Sequence, residues 1–241
     1  MAGARTVTVD EEARAVPLAL ARLHRQLADD EPIAVRIVHR PPSPVSIADL
    51  VSGAGFALRD TSGTTLLLTR QRTLPDTVGP AMAMLVCGLN PSLHAADAGV
   101  GYAGPGNRFW PAMRAAGLAP RHEPGPSDPI RLLTERGVGM TDMVKRATPR
   151  AGELTVDEHR TGLGRLERLV AWLQPGVVCI VGLAGWRAAV DRRAVAGPSD
   201  RLLGGRPVHL MPSTSGLNAR SSLDELTDHL RDAATLTDPD L

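Results

Sequence analysis

The chain has 241 residues, 43% of them hydrophobic, and a formal net charge of +1. That supports one sizeable folded domain with a smaller companion, and it argues against a disordered chain or a strongly basic nucleic-acid domain. Two cysteines exclude a four-cysteine zinc or iron–sulfur centre, and Lys145, the sole lysine, leaves one side-chain candidate for a Schiff base.

In chain order, residues 11–28 show helical spacing of Leu18, Leu20, Leu23 and Leu27, and 32–40 read as a strand. Residues 46–56 read as a helix capped by Ser46 and ended by glycine. Residues 56–72 read as a hairpin turning at Thr61–Gly63, and a Pro-containing linker follows. This run weakly resembles the C-terminal end of a Rossmann-like methyltransferase, without the glycine-rich cofactor turn. Residues 1–80 are therefore expected to be a small α/β appendage with no activity of their own.

From residue 83 the pattern alternates. Strands are predicted at 83–89, 137–144, 176–182 and 206–213. Helices are predicted at 107–116, 129–136, 155–173, 184–194 and 221–234, and a long glycine-rich loop at 91–106. Strands that are apolar throughout and separated by helices predict a mostly parallel sheet covered on both faces. The expected fold of residues 81–241 is thus a three-layer α/β/α domain. Ligands of such sheets bind beyond the C-terminal ends of the strands. Those ends carry Asn90-Pro91, Thr141-Asp142 and Pro212-Ser213. Cys87 and Cys179 lie inside apolar strands and read as reduced core residues of a cytosolic protein. With no signal peptide and no apolar run long enough to span a bilayer, a cytoplasmic location is expected, on the nucleoid in a bacterium.

Asn90 is either an Asn-Pro turn former or an amide that orients a nucleophile at a strand end. Tyr102, the only tyrosine, is either a loop aromatic covering a core edge or a platform on which a flat heterocycle stacks. Asn107 is placed to cap the helix that follows, with Arg108 in its first turn. Asp142 is either a turn former or a general base or cation-stabilising carboxylate. Lys145 and Arg146 form either a solvated basic pair or a phosphate contact. In residues 211–222, Ser213, Thr214, Ser215 and Gly216 belong to an ordinary loop or to one that holds phosphates, with Leu217 as an apolar tip suited to entering a base stack. His94, His122 and His209 lack partners at metal-ligand spacing, so no metal and no cofactor is expected.

Together these segments resemble the mismatch-specific uracil-DNA and thymine-DNA glycosylases of the uracil-DNA glycosylase superfamily. The matching stretches are GLNPSL at 88–93, GPGNRFW at 104–110, GVGMTDMVKRATPRAGEL at 137–154 and MPSTSGLNA at 211–219, in order over about residues 83–235. The resemblance implies that Asn90 orients the water attacking the sugar C1′, that Tyr102 stacks on the flipped pyrimidine, and that Asn107 shapes the pocket. It implies that backbone groups around Leu89 and Asn90 meet the base edge, that Ser213 and Ser215 contact phosphates, and that Leu217 fills the gap in the duplex.

Two departures from the family pattern stand out. Ser92 replaces a usual glycine, and position 142 is Asp where several relatives have Asn. An ionised Asp142 can only accept hydrogen bonds, which suits it to activating water or stabilising an oxocarbenium-like sugar. The expectation is a monofunctional, metal-independent glycosylase that excises uracil, thymine or exocyclic cytosine adducts from double-stranded DNA containing a damaged or mismatched base. No membrane partner is expected. The alternatives are a non-catalytic lesion reader, or an N-ribosyl hydrolase acting on free nucleosides.

Overall fold

The computed structural model describes residues 5–218 and 220–236; the outer ends of the two expected units, 1–4 and 237–241, lie outside them. Two sheets are present. The first contains β1 (Arg5–Val9), β2 (Pro32–Ile37), β3 (Phe56–Ser62) and β4 (Thr65–Arg70), in the order β1-β2-β4-β3. The β1/β2 pair is parallel and the other two pairs are antiparallel. Helices α1 (Val16–His24) and α2 (Ile47–Gly53) cover it, with Leu20, Leu23, Leu50 and Val51 packed against Ile33, Val35, Leu66 and Leu68. Ser46 caps α2 as expected, in a reciprocal box with Asp49. The first helix is shorter than its apolar spacing suggests, because a single 3-10 turn at Ala13–Ala15 precedes it.

The second sheet contains β5 (Met84–Gly88), β6 (Val138–Asp142), β7 (Val177–Val181), β8 (Gly197–Leu203) and β9 (Arg206–Met211), in the order β6-β5-β7-β9-β8. Strands β6, β5, β7 and β9 are mutually parallel, and β8 is an antiparallel edge. Alternate residues face opposite layers. On one face Leu85, Cys87, Val178 and Ile180 meet α6 (Val156–Leu173) and α7 (Leu183–Ala189). On the other, Met84, Val86, Val177 and Cys179 meet α4 (Phe109–Ala115) and α8 (Leu223–Thr235). The expected three-layer α/β/α architecture is therefore present. Cys87 and Cys179 are free and buried. No helix among the described residues is long and apolar enough to cross a membrane.

Three elements depart from the sequence reading. Strand β1 precedes the first helix, and β8 fills a stretch for which no element was predicted. The glycine-rich loop contains α3 (Leu93–Ala98), with α5 (Pro129–Arg136) completing the set of helices. Ser92 explains α3: its hydroxyl accepts from the Ala95 N–H at 3.1 Å, so the residue that departs from the family pattern acts as a helix cap.

Candidate active site

Beyond the C-terminal ends of β5, β6, β7 and β9 lies a cleft of about 450 Å³. It is lined by Leu89, Asn90, Tyr102, Asn107, Asp142, Ser213, Ser215 and Gly216 among others, so the fold brings most of the expected site residues to one place.

The amide of Asn90 is oriented without ambiguity. Its nitrogen donates to the Arg146 carbonyl at 3.0 Å, to Thr148 Oγ1 at 2.8 Å and to the Pro91 carbonyl at 3.2 Å. Backbone carbonyls only accept, so the NH2 must face them. Thr148 is itself fixed, donating to the Arg150 carbonyl at 2.9 Å. All the donor capacity of Asn90 is thereby spent on protein, and Oδ1 remains to accept from a water.

Asp142 ends β6 beside β5. A Cβ added to Gly88 would lie 2.4 Å from Asp142 Oδ1 and 2.9 Å from the Tyr102 hydroxyl, so glycine is required there for both groups to approach. The Asp142 carboxylate makes no hydrogen bond among the described residues. Burial pushes its pKa up to about 6, with Asp76 adding to the rise and Lys145 and Arg165 opposing it. A carboxylate with that pKa changes charge near neutral pH, the range a general acid or base needs.

Tyr102 adopts a left-handed backbone with φ +59°. Its ring stacks on Phe109, centroids 3.9 Å apart and planes 22° apart. One face of Tyr102 is thus held by protein. The Trp110 indole N–H, donating to the Gly101 carbonyl at 2.9 Å, holds the loop. The Tyr102 hydroxyl is buried with no hydrogen-bond partner among the described residues, and its pKa is raised by burial and by the Asp142 charge. Asn107 accepts the Phe109 N–H on Oδ1 at 3.0 Å, one residue before the backbone cap at Arg108. Its carbonyl thus supports the helix while the residue lines the cleft.

The loop after β9 is organised from within. Ser213 Oγ accepts from the Ser215 N–H and Ser215 Oγ from the Leu217 N–H, each at 3.3 Å. Leu217 is 96% exposed. Arg108 fastens this loop, its guanidinium donating to the Ser221 and Asn218 carbonyls and its own N–H to the Thr214 carbonyl at 2.9 Å. The Arg108 cation therefore has a structural role, tying the start of α4 to the loop after β9. A Cβ on Gly216 would come within 2.9 Å of the Gly106 carbonyl, so the two glycine loops meet backbone to backbone.

Several expectations need correction. Lys145 does not present a free charge to DNA: it is nearly buried, with Nζ 2.7 Å from Asp76. Arg146 stays exposed, its guanidinium donating to both carboxylate oxygens of Glu158 at 2.6 and 3.1 Å, and Glu158 also closes the capping box of α6. That pairing holds Glu158 down to about 2. The Thr214 side chain is buried and is not displayed as a phosphate ligand.

Sequence reasoning also missed contributors. Leu74, Pro75 and Thr77, from the stretch read as a linker, line the cleft together with Arg25. Phe109 is a fully buried core residue that backs the Tyr102 ring. No group of three or more metal-ligating side chains occurs among the described residues.

The solution NMR structure of a protein from Methanosarcina acetivorans, described as a candidate uracil DNA glycosylase, overlays with a TM-score of 0.47 at 21% identity, covering 68% of this chain and 97% of that one. The model of the uracil DNA glycosylase superfamily matches residues 75–234, a span holding every side chain of the cleft named above except Arg25 and Leu74. The chain belongs to the uracil DNA glycosylase superfamily.

Proposed function

We propose that this protein is a monofunctional glycosylase that flips uracil out of mismatched duplex DNA and hydrolyses its N-glycosidic bond, with thymine or exocyclic cytosine adducts as further substrates. The observation that carries the reading is the fixed amide of Asn90, with Oδ1 left to accept. In this reading Oδ1 takes a hydrogen bond from a water and aims its lone pair at C1′. The C1′–N1 bond breaks as the C1′–O bond forms, and the base leaves with the bonding pair. Ionised Asp142 accepts the water's proton or stabilises the cationic sugar. The flipped pyrimidine stacks on Tyr102, and the loop of Ser213, Ser215 and Leu217 grips the strand and fills the vacated space.

Lys145 is engaged with Asp76, which supports simple hydrolysis over Schiff-base chemistry. We further infer that residues 5–70 form a separate structural unit ahead of the glycosylase unit, and that the protein works in the cytoplasm, where reduced Cys87 and Cys179 fit.

The test is a labelled duplex with one G·U pair, incubated with enzyme and then treated with alkali. Strand breakage only after alkali is expected. An intact strand with folded protein would refute a uracil glycosylase, and breakage before alkali would refute a monofunctional one. Efficient cleavage of free nucleosides, together with duplex excision indifferent to Leu217→Ala, would favour the nucleoside hydrolase.

A further inference from the structure

Beneath Asp142 lies a buried charge cluster that the hydrolytic reading does not use. Asp76, from the segment joining the two sheets, is 3% exposed. Its Oδ1 accepts from Lys145 Nζ at 2.7 Å and from Thr141 Oγ1 at 2.6 Å, and its Oδ2 accepts from Arg165 at 2.5 Å. The other arm of Arg165 donates to the backbone carbonyl of Asp142 at 2.8 Å. The Asp76 segment is also stitched to β6: Thr77 and Met140 exchange backbone hydrogen bonds of 2.8 and 2.9 Å. One carboxylate thus joins two cations, and one of those cations holds the main chain of Asp142.

Burying charges is costly unless they are paired, and a buried ion pair is weak evidence for stability in itself. Here two cations share one anion, so the cluster carries a net positive charge next to a carboxylate that has no hydrogen-bond partner among the described residues. We propose that Asp76, Lys145 and Arg165 are positioning residues that fix the end of β6 and balance the charge beneath Asp142. This rests on the reading that Asp142 acts on the reacting sugar or water.

The groups around Asp142 act in defined directions. Lys145, from the loop after β6, and Arg165, from α6, favour its ionised form; Asp76 disfavours it. The remaining neighbours are the Cys87 thiol of β5 and the Tyr102 phenol, both raised by burial and by Asp142 and so neutral near pH 7. The two ends of the Lys145–Asp76 pair therefore push Asp142 in opposite senses.

The experiment measures the Asp142 carboxyl titration by carbon NMR, and the pH profile of uracil excision, in the full-length protein and in Lys145→Gln and Asp76→Asn. Lys145→Gln is expected to move both midpoints to higher pH by about one unit, and Asp76→Asn to lower pH, as removal of a nearby charge does. Lys145→Arg is expected to restore the original midpoint. Unmoved midpoints, or midpoints moving together in one direction, overturn the proposal. So does failure of both variants to fold, which would leave the cluster a structural role only. Because the NMR titration does not depend on turnover, an inactive wild-type enzyme would remove the proposed function while the cluster was still being tested.

Discussion

Tyr102 and Phe109 lie face to face, 3.9 Å between ring centroids, with the Tyr102 hydroxyl buried and unpartnered close to the Asp142 carboxylate. A buried hydroxyl without a partner costs on the order of 1–3 kcal/mol, a cost that a bound base or water would relieve. Tyr102→Phe keeps the stack and removes the hydroxyl. The free protein is expected to be equally stable or up to about 1 kcal/mol more stable by thermal denaturation. Excision is expected to weaken through KM, and an unchanged KM would show that the hydroxyl meets no substrate.

Asp142 couples activity and stability with opposite signs. Its folded pKa of about 6 lies above the ordinary value of 3.8, chiefly through burial. The folded state therefore holds that proton more tightly than the unfolded chain. The stabilising contribution is complete below pH 3.8 and is lost as pH rises to about 6. Asp142→Asn is accordingly expected to gain on the order of 2–3 kcal/mol at pH 8, read from urea unfolding, and little at pH 4. The same change is expected to lower excision by at least about 10²-fold. In the wild-type enzyme, excision is expected to rise with pH through about 6 as the carboxylate ionises.

Gly216 touches the Gly106 carbonyl so closely that any side chain separates the two loops. Gly216→Ala is expected to reduce excision from duplex DNA by roughly 10-fold or more through poorer placement of the cleft walls. Cleavage of a short single-stranded substrate at saturation measures how much of that loss reaches the chemical step.

Leu217 supports nothing in the free protein, being 96% exposed. Surface changes of this kind usually alter stability by no more than about 0.5 kcal/mol. Leu217→Ala is therefore expected to leave the melting temperature in place. It is expected to slow excision from a G·U duplex while sparing single-stranded uracil, which leaves no gap to fill. Equal effects on both substrates would deny the wedge role.

The central sheet was legible in the sequence because β5 and β7 are apolar at every position, the pattern a sheet covered on both faces requires. Strand β8 was not: its sequence GPSDRLL lies on an edge, mostly exposed, and shows no periodicity. Helix α3 escaped notice because the six residues between the Ser92 cap and Gly99 give too short a pattern. In the cleft, Asn90, Tyr102 and Asp142 were legible as polar or aromatic residues at strand ends and in a glycine loop. The true partners of Lys145 and Arg165 were not, since Asp76 lies 69 and 89 residues away from them. Local patterning carries no record of charge pairs made across such distances.

The Asp76 cluster also bears on how the protein can be cut. The visible seam between the two sheets runs through residues 71–83, and a fragment beginning at 81 would look like a complete catalytic unit. It would keep Lys145 and Arg165 in place with no counter-ion and would lose the cleft wall formed by Leu74 and Pro75. The smallest autonomous enzyme must therefore begin upstream of Leu74, and the short segment between the sheets belongs to the catalytic half as fully as any strand in it.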